Sequence, residues 1–313
     1  MVIDKRQMKE AIILKLPQEV EIIEVCPRDG FQNIKTPIPA ETKIEIIDKL
    51  VGCGFKWIEA TSFVHPKAIP QMADAAQVLQ TVKEKHAGKV SFIALAPNLF
   101  GAQRAIEAGA DAITFVISAS EKHNLENTKQ TIEQSVAALT EVCKIKGDCK
   151  VRLAVATAFD CPFAGKVEPG QVISLIEAGL AAGADDIVLA DTIGTATPLQ
   201  MEALLKPLTQ KYSQLSFILH IHDTQGMGLA NVVTALSLGV TRFETAAFGL
   251  GGCPFAPGAA GNIATEDLVN MLHKMDIATG LNYEKILQVA HCIQEKLRIP
   301  PMGHLARIAA CQG

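Results

Sequence analysis

Short β-branched runs alternate with longer amphipathic stretches from one end of the chain to the other. The runs at 20–26, 56–62, 90–95, 112–117, 150–157, 185–191, 216–223 and 241–248 are rich in Val, Ile, Phe and Thr. Their length and composition predict strands. Between them, apolar positions spaced three and four apart predict helices. One lies around 39–54, where Pro39 to Thr42 supply a start and Gly52 and Gly54 a stop. The phrases VGCGFKWIEA, IEAGADAITF and LAAGADDIVLA repeat one pattern of helix end, glycine, small residue and strand. This is the short loop that returns a helix to a strand in a βαβ unit.

Alternation this regular predicts a parallel sheet with helices outside it. With eight strands the expected architecture is a (β/α)8 TIM barrel rather than an open sheet. No GxGxxG follows the first strand, which removes the main support for a dinucleotide-binding fold. There is no linker rich in Pro, Gly or Ser, so residues 1–313 are expected to form one catalytic barrel domain. Extra C-terminal helices are predicted at 265–275 and 283–297, the last of them (283–313) packing on the barrel.

Composition narrows the function classes. The net charge of -4, with no run of lysine or arginine, argues against nucleic acid and anionic membranes as partners. No apolar stretch approaches the ~20 residues of a membrane span. The first residues mix charges into a short apolar run without a small-residue cleavage site, unlike a secretory or transit peptide. The 8 cysteines form no CxxC pair and read as reduced thiols, which places the protein in the cytoplasm.

Barrel enzymes carry their chemistry at the C-terminal ends of strands. Arg28 and Asp29 follow the first predicted strand, Glu59 lies near the end of the second, and Asp191 and Thr192 end the sixth. His220 and His222 end the seventh. Two apart on a strand, they point to the same face. With a carboxylate from another strand they suit one divalent cation with open positions. Two hydrogen-bonded core histidines are the plainer alternative. The donor set leaves magnesium, manganese and non-haem iron all open. Arg28 beside Asp29 offers a fixed cation for a developing oxyanion, or a structural ion pair.

The segment GLGGCPFAPGAAGNIATED (249–267) has no long side chain between Leu250 and Phe255 and cannot build a core. It lets backbone approach a ligand and sets Cys253 at the barrel mouth as a candidate nucleophile or acid/base. Cys161 follows strand five and is either a pocket residue or a small buried hydrophobe. His65 and His123 are expected in loops, facing solvent or a ligand rim. Cys311 is a terminal thiol.

The motifs EVCPRDGFQN, IEATSFVHPKAIPQMAD, ADTIGTATP, HIHDTQGMGLAN and GLGGCPFAPGAAGNIATEDLV together resemble the 3-hydroxy-3-methylglutaryl-CoA lyase family, in the family's order and over nearly the whole chain. The resemblance implies a divalent cation, Mg2+ or Mn2+, held by Asp29, His220, His222 and Asn262. It implies an acyl-CoA thioester substrate cleaved to acetyl-CoA and a 3-keto acid, and a homodimer. Arg28 would stabilise the enolate oxygen, Glu59 would orient Arg28 or substrate, and Cys253 would handle the proton at the acetyl carbon. Asp29 or His220 would be the base. Gln32, Ser62, Asn127, Asp191 and Thr192 would line the substrate site.

The chemistry of the residues agrees with this. A tertiary alcohol polarised by a cation loses its proton more readily and expels an enolate, which needs a cation and a proton source. The alternative within the same barrel superfamily is a condensing enzyme of the isopropylmalate or citramalate synthase type. A catalytically dead binding barrel is disfavoured by the intact Asp29, His220, His222 and Cys253. Three stretches depart from the family pattern. They are Gln225-Gly226-Met227 after HDT, Asp160 to Gly165 after strand five, and the strand-four loop SEKHNLENT. They are expected to shape the acyl pocket and leave its acyl group open.

Overall fold

A computed structural model describes residues 16–252 and 261–311. All eight predicted strands form. They are β1 (Glu21–Glu24), β2 (Trp57–Ser62), β3 (Ser91–Leu95), β4 (Ala112–Ser118), β5 (Lys150–Ala156), β6 (Asp186–Asp191), β7 (Ile218–Ile221) and β8 (Arg242–Thr245). Every neighbouring pair is parallel, and the sheet closes through β1 and β8 into the expected (β/α)8 barrel.

Helices alternate with the strands. They are α1 (Ala40–Val51), α2 (Ala75–His86), α3 (Leu99–Glu107), α4 (Glu121–Thr128), α5 (Ile132–Ile145), α6 (Pro169–Ala182), α7 (Pro198–Lys211), α8 (Gly228–Ser237) and α9 (Thr265–Lys274). Local chemistry sets their ends. At α7 the Thr197 hydroxyl accepts from the Gln200 amide while Gln200 reaches back to Thr197, and Pro198 fills the first turn. At the end of α6, Gly183 takes φ 99°, a left-handed turn that a side chain disfavours, before β6 begins. Beyond α9, α10 (Tyr283–Leu297) packs on α1 and α9, and α11 (His304–Ala310) packs on α9 and α10. None of the described helices is long and apolar enough to cross a membrane.

Alternation along the strands sorts the side chains. On β6, Val188 and Ala190, followed by Thr192, face the interior cavity, while Leu189 is fully buried in the apolar shell. Three details differ from the sequence reading. Strand β7 ends at Ile221, so His222 sits just past it, held by an isolated bridge to Asn262. The segment holding His123 is a helix, α4, rather than a loop. Residues 160–166 fold into a two-residue-per-arm hairpin.

Candidate active site at the barrel mouth

Asp29, His220 and His222, all buried, bring one ligand atom each to within 4.8 Å of one another. The two imidazoles confront each other through Nε2 atoms 3.1 Å apart, and His222 Nε2 lies 3.6 Å from Asp29 Oδ2. Adjacent donors around an octahedral cation lie on the order of 3 Å apart. Two facing ring nitrogens beside a carboxylate therefore fit a shared cation. Asn262 completes the set. Its Nδ2 donates to Asp29 Oδ2 (2.7 Å) and Leu250 O (2.9 Å), while its Oδ1 is buried without a partner among the described residues. An orphaned buried carbonyl oxygen in this position is what a hard cation would satisfy. Gly251 makes the approach possible. At φ 123° it presses so close that a Cβ there would meet Asn262 Nδ2 at 2.4 Å and Asp29 Oδ2 at 2.9 Å.

Arg28 and Asp29 lie on a single π-helical turn, Cys26–Gly30, directly after β1. A tight turn of this kind re-aims side chains at a site. Arg28 Nε donates to Glu59 Oε2 at 2.5 Å and Nη1 donates to Asp29 Oδ1, and Gln32 Nε2 donates to the same oxygen at 2.9 Å. Burial opposes a charge on Asp29. The Arg28 guanidinium and the two histidines outweigh it and hold the carboxyl well below the usual range. Burial and the neighbouring His220 push His222 down, so it stays neutral and keeps a lone pair.

Behind His220 stands a second, unforeseen pair. His220 Nδ1 is 2.9 Å from Glu244 Oε2, and Glu244 Oε1 accepts from Arg152 Nη2, whose Nη1 donates to Thr114 Oγ1 at 3.2 Å. Burial alone would raise Glu244, but Arg152 and His220 lower it below the ordinary value. Burial opposes a charge on His220, but the ionised carboxylate accepts from Nδ1–H, raises the proton affinity of the ring and turns its Nε2 toward the cluster. Neither Arg152 nor Glu244 was singled out from the sequence. Each is a buried charge within a strand, and no spacing in the sequence links the two.

A cavity of about 1040 Å³ opens here. Arg28, Asp29, Gln32, Asn127, Thr192, His220 and His222 line it, as do His65 and the rim residues Asn33 and Lys35. Glu59 and Ser62 do not reach its wall. Glu59 lies behind Arg28, and Ser62 is 1% exposed with its hydroxyl unpartnered among the described residues. Asp191 points away because it has the opposite parity to Thr192 on β6. Its carboxylate accepts from the amides of Thr195 (3.2 Å) and Ala196 (3.1 Å) and shapes the turn before α7. His123 is buried, not solvent-facing, with Nδ1 2.6 Å from Ser118 Oγ, and it does line the cavity. Cys161 is buried in the hairpin off the wall, where its sulfur accepts from the amides of Phe163 and Ala164. Cys311 is exposed. Cys253 falls in 253–260, outside the described residues.

The expectation that all three departing stretches shape the pocket needs correction. Only the strand-four stretch reaches the cavity, through His123, Asn127 and Thr128. Asp160 is spent on Thr195 Oγ1 and Gln200 Nε2, and Gln225 pairs its amide with Gly194 O, so both stretches serve local loop structure.

Comparison with known proteins adds to this geometry. The model of a family described as HMGL-like matches residues 19–293. The chain is 43% identical over 286 residues to a hydroxymethylglutaryl-CoA lyase of Bacillus subtilis, covering 91% of this chain and 95% of that one. It is 40% identical over 294 residues to the mitochondrial hydroxymethylglutaryl-CoA lyase of Bos taurus, covering 93% and 90%. Among solved structures, an HMG-CoA lyase from Acinetobacter baumannii in complex with coenzyme A and 3-methylmalate gives a TM-score of 0.88 at 41% identity, covering 93% of this chain and 95% of that chain. The Bacillus subtilis HMG-CoA lyase gives 0.91 at 41% identity, covering 94% and 99%.

Proposed function

The chain belongs to the HMGL-like family, and on that premise we propose that it is a carbon–carbon lyase acting on 3-hydroxy-3-methylglutaryl-CoA or a 3-alkyl homologue. The observation that carries the reading is the convergence of Asp29, His220, His222 and Asn262 beside the anchored Arg28, at the mouth of a cavity large enough for an acyl-CoA arm. The products are acetyl-CoA and acetoacetate, or the matching 3-keto acid. The relatives are lyases, so the condensing alternative is left without support.

Those four residues would hold a divalent cation, which we take to be Mg2+ or Mn2+, and it would supply Lewis acidity when bound. The substrate hydroxyl loses its proton, the bond between the carbinol carbon and the thioester α-carbon breaks, and the carbinol carbon becomes a ketone. The α-carbon leaves as the acetyl-CoA enolate and gains a proton.

Arg28 has Nε and Nη1 anchored on Glu59 and Asp29, which leaves its other N–H groups for the enolate oxygen. Glu59 positions Arg28 from behind the wall. Asp29 and His220 are the candidate acceptors of the hydroxyl proton. Cys253 is assigned the proton at the α-carbon. Gln32, Asn127 and Thr192 contact substrate from the wall, and Lys35 at the rim suits the anionic end of the CoA arm. Ser62, off the wall, is assigned a supporting place beneath it.

We read the chain as one barrel domain and, on the prevalence of two-fold closure, as a homodimer. Its seven described cysteines are free, which supports a reducing compartment such as the cytoplasm. The test is direct. Purified protein with magnesium or manganese should release acetyl-CoA from 3-hydroxy-3-alkylglutaryl-CoA thioesters; release from none of them would end the reading.

A further inference from the structure

The cavity does not stop at the ligand cluster. Its wall includes Thr114, which stands four residues before the end of β4 at Ser118, roughly 13 Å down the strand. It also includes Val188, three residues before the end of β6. Barrel interiors of this fold are ordinarily filled at such depth by layers of bulky branched side chains. Here the layer is left open on one side.

The residues responsible are small. Ala154 and Ala156 on β5 and Ala190 on β6 all line the cavity and keep 6–8% exposure. Register places them in one patch next to the ligand cluster. Ala190 pairs with His220, and Ala154 pairs with Val116 on one side and Val188 on the other. Leu95 and Val116 complete the wall.

Two of the polar groups on this wall are engaged by neighbours. Thr114 accepts from Arg152, and Glu244 is shared between Arg152 and His220. The well therefore favours hydrocarbon over a polar or charged group. Its top adjoins His220, a candidate acceptor of the substrate's hydroxyl proton in the function proposed above, on which this step rests.

We propose that the well receives the 3-substituent of the substrate, and that this substituent is an unbranched alkyl chain longer than methyl. Ala154 and Ala190 are its specificity-determining residues. The reaction is unchanged. A 3-hydroxy-3-butylglutaryl-CoA breaks at the same bond and yields acetyl-CoA and 3-oxoheptanoate.

Each further methylene taken out of water is worth roughly fourfold in kcat/KM, so butyl should exceed methyl by roughly 60-fold. The experiment measures kcat/KM on both thioesters with the magnesium- or manganese-loaded enzyme, for wild type and for Ala154→Val, Ala154→Leu and Ala190→Val. The readout is the butyl-to-methyl ratio, with thermal melting to confirm that each variant folds. We expect the ratio to fall in steps as the side chain grows, by at least tenfold in Ala154→Leu; Ala190→Val carries the test if that protein does not fold. Butyl turnover no better than methyl in the wild type would overturn the inference and leave the lyase standing. A ratio unmoved in folded filling variants would also overturn it. Release of acetyl-CoA from neither thioester would remove the lyase reading itself.

Discussion

Glu244→Gln separates a histidine that is merely near a cation site from one that is held ready for it. In the native protein one carboxylate oxygen faces Arg152 and the other faces His220 Nδ1. A glutamine has only one acceptor end. If its oxygen takes Arg152, its NH2 group meets Nδ1, which must then show a lone pair and send the ring proton to Nε2, into the cluster. If its oxygen takes His220, the NH2 group opposes the guanidinium.

The side chains of Arg152 and Glu244 are 2% and 4% exposed, so solvent does little to soften the loss. Removing one partner of a buried pair costs about 3–5 kcal/mol, and losing the carboxylate behind a ligating histidine weakens metal affinity roughly 10–100-fold. Urea unfolding reads the first. Titration with Mn2+, following the free-ion electron paramagnetic resonance signal, reads the second without reference to turnover. Adding Arg152→Met should recover part of the stability, because the orphaned charge is gone, while the affinity stays low. Native manganese affinity in a Glu244→Gln protein of native stability would refute the argument.

Other consequences are as direct. Cys253→Ala should fold, bind Mn2+ normally and lose on the order of 10²–10⁴ in kcat, the usual weight of a proton-transfer group; near-native turnover would take the thiol out of the mechanism. Gly251→Ala should weaken Mn2+ binding at least about tenfold, as clash and left-handed strain displace Asn262 and Asp29, and an unchanged titration would contradict the close packing. Burial raises Glu24 to about 7 and Glu266 to about 8 from an ordinary 4.5, so the folded protein holds protons that the unfolded chain has released. Stability is then fullest below pH 4.5 for these groups and falls as pH rises through 7 to 8, by on the order of 3–5 kcal/mol for the stronger of the two. Glu266→Gln should flatten that slope between pH 5 and 9, as read by thermal melting, and an identical slope would count against the shift.

The barrel was legible in the sequence because its signals are local. Strand runs, helix caps and the glycine at Gly183 each declare themselves within a few residues. The His220–His222 pair was legible for the same reason, since a spacing of two on a strand fixes a shared face. What stayed hidden depends on register. Arg152 and Glu244 are 92 residues apart, and only barrel closure makes them partners. Asp191 looked like a wall residue because Thr192 beside it is one. The parity of β6 turns one inward and the other toward the turn before α7.

Departures from a family pattern misled in the same way, because a loop such as 160–166 absorbs its own changes through Thr195 and Gln200. Ala154 carries no signal at all in a string of apolar residues. An alanine reads as ordinary core until the pleat shows that it faces the axis, where a larger side chain would have closed the well.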